Sequence, residues 1–255
     1  LMKLVSIEKN KKIAIVKFDR GKLSNLLNFE LIKELTKVAE NLSKDKDLLA
    51  VILLGRSDNF SMGFDLRDKE FKNIRFKSLN EQRSTLIAGS NMCLAWEKLS
   101  PLTISAIKGW CVGGGLALAV STDLRIVSPE TTFYVPEVER ALNMSWGSIP
   151  RITNLVGPSK AKQLIILARK ISAKKAENWG LIDSITSKLD IKEHCLEIAK
   201  TAASMPPVAL KICKKSIDAY SNALAGVSSY QDLDQFLLTF RSKDFQKSLD
   251  SFYNK

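Results

Sequence analysis

The chain has little of the side-chain chemistry on which many enzymes depend. Its 255 residues include one histidine, His194, and four cysteines that are scattered without a CxxC spacing. A His-based catalytic triad and a zinc site are therefore not expected, and no metal is predicted. The cysteines lie in apolar contexts, which favours buried free thiols in a reducing compartment over disulfides.

Long hydrophobic runs are also absent from the sequence. No apolar run reaches the roughly 18 residues that a transmembrane helix needs. The first twelve residues lack the apolar centre and cleavage site of a signal peptide. With 45% hydrophobic residues, the chain is expected to be a soluble, cytoplasmic protein with one large domain or with a core and a small appendage.

The positive charge of the chain is dispersed rather than concentrated. The formal net charge is +12, and lysines occur along the whole sequence. A nucleic-acid-binding protein would favour a basic stripe with interleaved aromatic residues or a known binding motif. The charge also suits small ligands that carry phosphates, so it does not by itself identify a partner.

Strands and helices alternate in the first half of the chain, which predicts a right-handed parallel α/β sheet. A polar loop ends near Asp65, and the charged stretch that follows, residues 66–78, is predicted to lack regular structure. One long helix is then expected from Gln82 to Leu99. The other predicted elements are the hairpin strands Val5–Glu8 and Ile13–Phe18, the helix Phe29–Leu42, and the strands Leu48–Gly55, Leu102–Ile107 and Leu124–Val127.

From Gly147 onward the pattern is helical. Pro206 and Pro207 break this pattern and restart a helix with proline in its first turn. The break suggests a core over residues 1–205 and a C-terminal helical region over residues 206–255. The amphipathic faces of this second region need a surface to cover them, which favours an oligomer.

Three consecutive glycines, Gly113–Gly115, follow the apolar strand Leu102–Ile107 and open an apolar helical run. Glycine allows the backbone to approach a ligand closely, and the first N–H groups of a helix are free donors at the positive end of its dipole. Such an element can hold an anion or a developing oxyanion. A tight turn with close packing would explain the glycines equally well.

A second glycine-containing loop, Gly55–Asp65, follows the apolar strand Val51–Leu54. Ligands of open α/β sheets bind outside the carboxyl ends of the strands. Two loops that leave two such strands could direct two backbone N–H groups at one point, which is the geometry of an oxyanion hole.

Several ordered motifs of the sequence lie at Gly21–Leu27, Phe60–Asp65, Lys108–Ala117, Ser121–Arg125, Phe133–Glu137, Ile171–Ala173 and Trp179–Asp183. These motifs make the sequence similar, over nearly the whole chain, to the crotonase superfamily, the enoyl-CoA hydratase/isomerase family. The resemblance implies an α/β fold, a crotonase-like ββα spiral core with a C-terminal helical trimerisation region.

The resemblance also implies the reacting residues. The N–H groups of Met62 and Gly114 would form the oxyanion hole for an acyl-CoA thioester, and Glu137 would be a catalytic carboxylate. CoA would be part of the substrate, and no separate cofactor is expected. The remaining substrate-binding residues expected around this centre are Ser61, Phe64, Asp65 and Gly113. Arg140, Asn143 and Trp146 depart from the family pattern after Glu137 and are expected to reshape the acyl pocket, with Trp146 as one of its walls.

The same resemblance implies contacts to the CoA nucleotide. Lys22 and Leu23 would lie along it in the first loop. The C-terminal helix of a neighbouring subunit would cover it, which assigns Phe252 and Lys255 to that role. A homotrimer or a dimer of trimers is the implied assembly.

The chain departs from the family pattern at one of the two catalytic carboxylates. Family hydratases have a glutamate where this chain has Ala117, which can transfer no proton. Water addition needs two groups to manage protons, whereas moving a double bond from the β,γ to the α,β position needs one base. Isomerisation is therefore favoured, with a hydratase or another enolate-forming enzyme as the alternative, in which Glu139 could supply the second carboxylate.

A non-catalytic CoA-binding or RNA-binding homologue is a third possibility. Leu31–Lys37 resembles part of a lysine row with which one branch of the family binds RNA. Phe29 stands where a further lysine would be needed, and Glu30 and Glu34 interrupt the positive field. Nucleic acid is therefore not the expected partner.

Overall fold

The computed structural model describes residues 4–21, 23–186 and 190–254. Within these ranges no helix is long and apolar enough to cross a membrane. The strands are β1 (Val5–Asn10), β2 (Ile13–Phe18), β3 (Ala50–Leu54), β4 (Leu102–Ile107), β5 (Trp110–Val112), β6 (Leu124–Val127), β7 (Thr132–Tyr134), β8 (Ile171–Ser172) and β9 (Ser184–Ile185). The helices are α1 (Phe29–Ser43), α2 (Lys69–Ile74), α3 (Leu79–Leu86), α4 (Ala88–Glu97), α5 (Gly114–Ala119), α6 (Ser148–Ile165), α7 (Ala173–Trp179), α8 (Ile191–Ser204), α9 (Pro207–Ser221), α10 (Ala225–Ser228), α11 (Asp232–Phe240) and α12 (Lys243–Tyr253).

The main sheet has the strand order β1-β2-β3-β4-β6-β9. Only β1 is antiparallel to its neighbour; β2, β3, β4, β6 and β9 pair in parallel. Successive residues of β3 face opposite layers: Val51 and Leu53 belong to the apolar cluster that contains residues of α1 and α4, whereas Ala50 and Ile52 belong to the cluster that contains residues of α8. A strand covered on both faces must be apolar throughout, which explains the continuous run that predicted it.

A second, smaller sheet with the order β5-β7-β8 was not predicted. Each of its strands is two or three residues long. So short a strand shows no alternation of apolar and polar residues, and the pattern rules cannot detect it. This sheet carries the two segments on either side of the site, because β5 leads into α5 and β7 leads to Glu137.

The prediction that residues 66–78 lack regular structure was wrong. Helix α2 forms there because the Asp68 side chain caps it, accepting hydrogen bonds from Glu70 N at 2.7 Å and Phe71 N at 3.1 Å. Phe71 and Ile74 are the buried residues of this helix. The single long helix expected next is instead two helices, α3 and α4, which meet at Ile87.

The C-terminal helices differ in what they cover. Helix α9 has no buried residue. Helices α11 and α12 instead close over the first part of the chain, and Phe240 meets Phe71 in an edge-to-face contact with ring centroids 5.6 Å apart. The apolar cluster that joins the two parts consists of Phe29, Phe71, Ile74, Leu86, Leu142, Leu237, Phe240, Phe245 and Leu249.

Candidate active site

A cavity of about 350 Å³ lies where the loop after β3, the turn from β5 into α5 and the segment after β7 meet. Helices α11 and α12 supply a further part of the wall, with Leu233, Phe236 and Phe252. Most of the wall is apolar, and a few polar groups face into it. This combination is typical of small-molecule sites.

Backbone pairing holds the two predicted glycine loops side by side. Ser61 bridges Cys111 in parallel, with hydrogen bonds from Ser61 N to Trp110 O at 3.1 Å and from Val112 N to Ser61 O at 2.9 Å. The buried Asn25 side chain connects a third segment, the one that contains Asn25, to these two loops by donating to Phe60 O at 2.8 Å. Three segments that are distant in sequence are thus fixed at one point.

Met62 and Gly114, whose N–H groups are the two proposed oxyanion donors, both contribute to the cavity wall. Gly114 is the first residue of α5, so its N–H has no partner within the helix. A Cβ placed on Gly63 would lie 3.7 Å from Gly114 N. The Met62 N–H donates to Ser24 O at 3.2 Å. A thioester oxygen at this point would therefore compete with the Ser24 carbonyl for one of its two donors.

Glu137 follows β7 and precedes a short 3-10 turn, Val138–Arg140. Its carboxylate lies against Gly113, where a Cβ would overlap Oε1, so glycine is required there for close approach. Oε2 is buried and has no hydrogen-bond partner among the described residues. Burial raises the pKa of Glu137 to about 7, against the opposing effects of its own backbone N–H and of Arg140.

The carboxylate is suited to accept a proton near neutral pH. A general base is most effective when its pKa lies near the working pH. The buried Oε2, which has no hydrogen-bond partner among the described residues, is available for a substrate proton. Perturbed groups of this kind in a cavity mark candidate catalytic sites.

Position 117, where the family pattern has its other carboxylate, carries no proton-transfer group. Ala117 is buried on α5 and contributes its methyl group to the wall. Among the described residues the wall has one other carboxylate, Asp65, which pairs with Arg20 at 2.9 Å. Glu139 is exposed, does not contribute to the wall, and accepts a hydrogen bond from the Tyr134 hydroxyl.

The structure brings most of the other predicted residues to the cavity and leaves some away from it. Phe64, Asp65, Gly113 and Trp146 contribute to the wall together with Met62, Gly114 and Glu137. Ser61 is buried behind the wall, where its Oγ accepts from Gly63 N at 3.1 Å. Leu23 lies in the short turn Leu23–Asn25, and Lys22 and Lys255 lie outside the described residues.

Phe252 reaches the cavity from the same chain, whereas the resemblance implied a neighbouring subunit. Helix α12 turns back after Ser242, which caps it by accepting from Phe245 N at 3.1 Å. Its far end is held by the Tyr253 hydroxyl, which donates to Leu66 O at 2.6 Å. The Phe252 ring is then flanked by the guanidinium groups of Arg67 and Arg140, at 4.4 and 4.9 Å.

Several wall residues were missed by the motif comparison. Tyr134, whose pKa burial raises to about 12, is one of them. Leu233 and Phe236 come from α11, too far along the chain for local pattern to connect them with the site. Gly89 could have been noticed, because an isolated glycine inside a helical pattern needs a packing reason. No three His, Cys, Asp or Glu residues of the described ranges are grouped so that they could hold a metal ion.

Comparison with known proteins agrees with this fold and identifies the family. A model of the family described as "Enoyl-CoA hydratase/isomerase" matches residues 8–255. The solved structure of an enoyl-CoA hydratase from Bacillus halodurans superposes with a TM-score of 0.89, covering 98% of this chain and all of that one at 19% identity. That likeness confirms the predicted mixed α/β crotonase-type fold with its C-terminal helices.

Relatives in sequence cover the full length of the chain. The Short-chain-enoyl-CoA hydratase of Clostridium acetobutylicum is 32% identical over 253 residues, which are 98% of this chain and 95% of that protein. The Crotonyl-CoA hydratase of Syntrophomonas wolfei is 26% identical, with the same two coverages. The cavity with its paired loops and the match over 8–255 lead to one conclusion: the chain belongs to the enoyl-CoA hydratase/isomerase family.

Proposed function

We propose that the protein converts 3-enoyl-CoA thioesters to 2-enoyl-CoA thioesters with a single base, Glu137. The observation that carries this proposal is the chemistry of two positions on one cavity wall. Glu137 Oε2 has no hydrogen-bond partner among the described residues, and position 117 carries only a methyl group. Isomerisation needs one group that takes a proton and returns it, and this wall offers one such group beside two backbone donors.

In the proposed reaction, the thioester oxygen accepts hydrogen bonds from the N–H groups of Met62 and Gly114. Glu137 removes a proton from C2, and the electron pair moves onto the thioester oxygen as an enolate. The same carboxyl then returns the proton to C4 as the double bond moves to C2–C3. Atoms balance without water, and a donor of this kind supplies about 3 kcal/mol or more to the barrier.

Hydration of 2-enoyl-CoA is the second candidate function. The curated relatives named above are hydratases, and one observation of this chain favours the same chemistry. The Tyr134 hydroxyl lies on the wall and donates to Glu139. Glu137 would take a proton from water as it adds to C3, and the Tyr134–Glu139 pair would supply the proton that C2 receives.

Binding of the CoA portion would use the outer end of the cavity. Arg67 and Arg140 flank Phe252 there, and among the described residues no carboxylate lies within 4.0 Å of either guanidinium. Both cations are thus available for phosphate oxygens. Lys22, Leu23 and Lys255 remain proposed contacts of the nucleotide on the family pattern.

A homotrimer, alone or as a pair of trimers, is proposed as the assembly. It is supported by the apolar side chains that α9, α10 and the segments around them expose, since large exposed apolar patches mark interaction sites. These residues are Val208, Ile212, Ile217, Tyr220, Leu224, Val227 and Tyr230. Sedimentation equilibrium should give about three or six times the chain mass of 28.4 kDa, and a monomer at micromolar concentration would contradict the proposal.

The decisive experiment is an absorbance assay with purified protein on matched 2-enoyl-CoA and 3-enoyl-CoA esters of equal chain length. Isomerisation creates the conjugated thioester, so absorbance should rise with the 3-enoyl ester and hardly fall with the 2-enoyl ester. A faster fall with the 2-enoyl ester would favour hydration instead. No change with either ester would contradict both candidates.

A further inference from the structure

Trp146 occupies a slot between two helices that glycines keep open. A Cβ on Gly114, at the start of α5, would lie 2.7 Å from Cζ3 of the indole. A Cβ on Gly89, inside α4, would overlap Cε2 and Nε1 of the same ring. Any side chain at either position would displace the indole. The ring thus occupies space that is free only because Gly89 and Gly114 have no side chains.

The backbone of Trp146 is held in an unusual conformation. Its φ is 62°, a left-handed value that is an outlier for a bulky residue. Arg151 Nη1 donates to Trp146 O at 2.8 Å, and Gly147 N donates to Asp232 Oδ2 at 2.8 Å. Arg151 is fixed in turn by two hydrogen bonds to Glu97, at 2.7 and 2.9 Å. Such conformations persist where the surroundings determine them and are frequent at functional sites.

The indole lies directly beside the proposed reacting centre. It contacts the helix start that carries the Gly114 N–H, and it contributes to the cavity wall together with Ala117. Phe64, next to the Met62–Gly63 loop, meets it edge to face with ring centroids 6.2 Å apart. An acyl chain whose thioester oxygen is bound at Gly114 N therefore begins within a few ångströms of a rigid aromatic wall.

We propose that Trp146 sets the acyl-chain length of the substrate by closing the cavity beyond the oxyanion donors, so that short acyl groups bind and long ones do not. The inference rests on the proposed acyl-CoA activity and adds to it the class of acyl group. The rigid seat matters, because a flexible side chain would move aside for a longer chain at small cost. The Gly89–Gly114 slot and the Arg151 and Asp232 contacts hold the indole in place.

The test compares W146A with W179A, a matched control. Trp179 is half-buried at the end of α7, and its ring does not contribute to the cavity wall. Calorimetry would measure Kd for the unreactive saturated esters butanoyl-, hexanoyl-, octanoyl- and dodecanoyl-CoA. Wild type and W179A should lose affinity with increasing length. W146A should bind dodecanoyl-CoA at least about tenfold more tightly than wild type, since each newly buried methylene is worth about fourfold.

Near-ultraviolet circular dichroism checks whether each variant is folded. If W146A is not folded, W146F carries the test, and it should shift the preferred length upward by a smaller amount. A length profile identical to that of wild type in the folded variant would overturn the inference. Wild type that binds these esters in the expected order but converts no enoyl-CoA would leave the length limit standing and contradict the proposed function. Wild type that binds none of them would contradict both.

Discussion

Positions 137 and 117 face the same cavity from two different elements and have opposite chemistry. Glu137 stands at the end of a short strand, with its carboxylate against Gly113 and Oε2 unpartnered. Ala117 stands inside α5, whose six residues are all buried. The fold therefore offers two places from which a side chain can reach the substrate, and this chain places a proton-transfer group at one of them.

The difference shows how a carboxylate is kept reactive at position 137. The cavity removes water from it, which raises its pKa to about 7. Among the described residues no salt bridge joins it to a cation, and Arg140 lowers its pKa without forming such a bridge. On α5, by contrast, a carboxylate would replace a methyl group in a closely packed helix and would need a partner of its own.

The largest effect is expected from removing the base. E137Q keeps the size of the side chain and cannot accept the proton, so isomerisation of 3-enoyl-CoA should fall about a thousandfold or more, within the range for general bases. The measurement is kcat/KM by the appearance of conjugated thioester. The control is E139Q, because Glu139 is exposed and does not contribute to the wall. An E139Q loss as large as that of E137Q would show that two carboxylates act.

The next effect comes from supplying the missing carboxylate. A117E should gain hydration of 2-enoyl-CoA by about tenfold over wild type, since the second carboxyl can manage the second proton. A117Q is the matched control, with the same bulk and no proton to transfer. Both variants should lose stability, by about 1–3 kcal/mol, because Ala117 is closely packed. Equal hydration rates in A117E and A117Q would contradict the expected role of this position.

The raised pKa of Glu137 predicts opposite trends of activity and stability with pH. Isomerisation should rise with pH and level off above about pH 7, as the carboxyl loses its proton. The folded state holds that proton more tightly than the unfolded chain. Wild type should therefore lose up to about 3 kcal/mol of stability between about pH 4.5 and pH 7. Urea unfolding on both sides of this pH window gives the free energies of unfolding of wild type and E137Q. A difference between the two proteins that does not change with pH would contradict the prediction.

The smallest effect is expected at the outer end of the cavity. Phe252 is flanked by Arg67 and Arg140 and is remote from proton transfer in the proposed reaction, so F252A should raise KM about threefold to tenfold and leave kcat nearly unchanged. Y253F is the comparison variant, since it removes only the hydrogen bond to Leu66 O. A fall in kcat without a change in KM for F252A would place the ring in the chemistry instead.

The sequence predicted those parts that depend on local pattern. The hairpin, helix α1 and the strands β4 and β6 were placed with their observed or nearly observed bounds, because each has clear periodicity or a clear break. The β5-β7-β8 sheet was not predicted, since its strands are too short to show an alternation of apolar and polar residues. Helix α2 was missed although Asp68 and Glu70 form a recognisable start.

The candidate site divides in the same way. The motifs identified Met62, Gly114 and Glu137, which the fold brings to one cavity. Glu137's unpartnered oxygen and the slot around Trp146 depend on side chains from segments far apart in sequence, and no local rule gives them. The structure places Phe252 at the cavity of its own chain, whereas the resemblance implied the helix of a neighbouring subunit, and a role of Phe252 in covering CoA stays a prediction.

The central claim is that one carboxylate carries one proton from C2 to C4, and label transfer tests it most directly. A 3-enoyl-CoA with both C2 hydrogens replaced by deuterium would be converted in ordinary water under single-turnover conditions, and the product would be examined by mass spectrometry and NMR. A single buried base predicts that part of the deuterium removed from C2 appears at C4 of the 2-enoyl product. Complete loss of that deuterium to solvent, with a 3-hydroxyacyl thioester as the main product, would contradict the account.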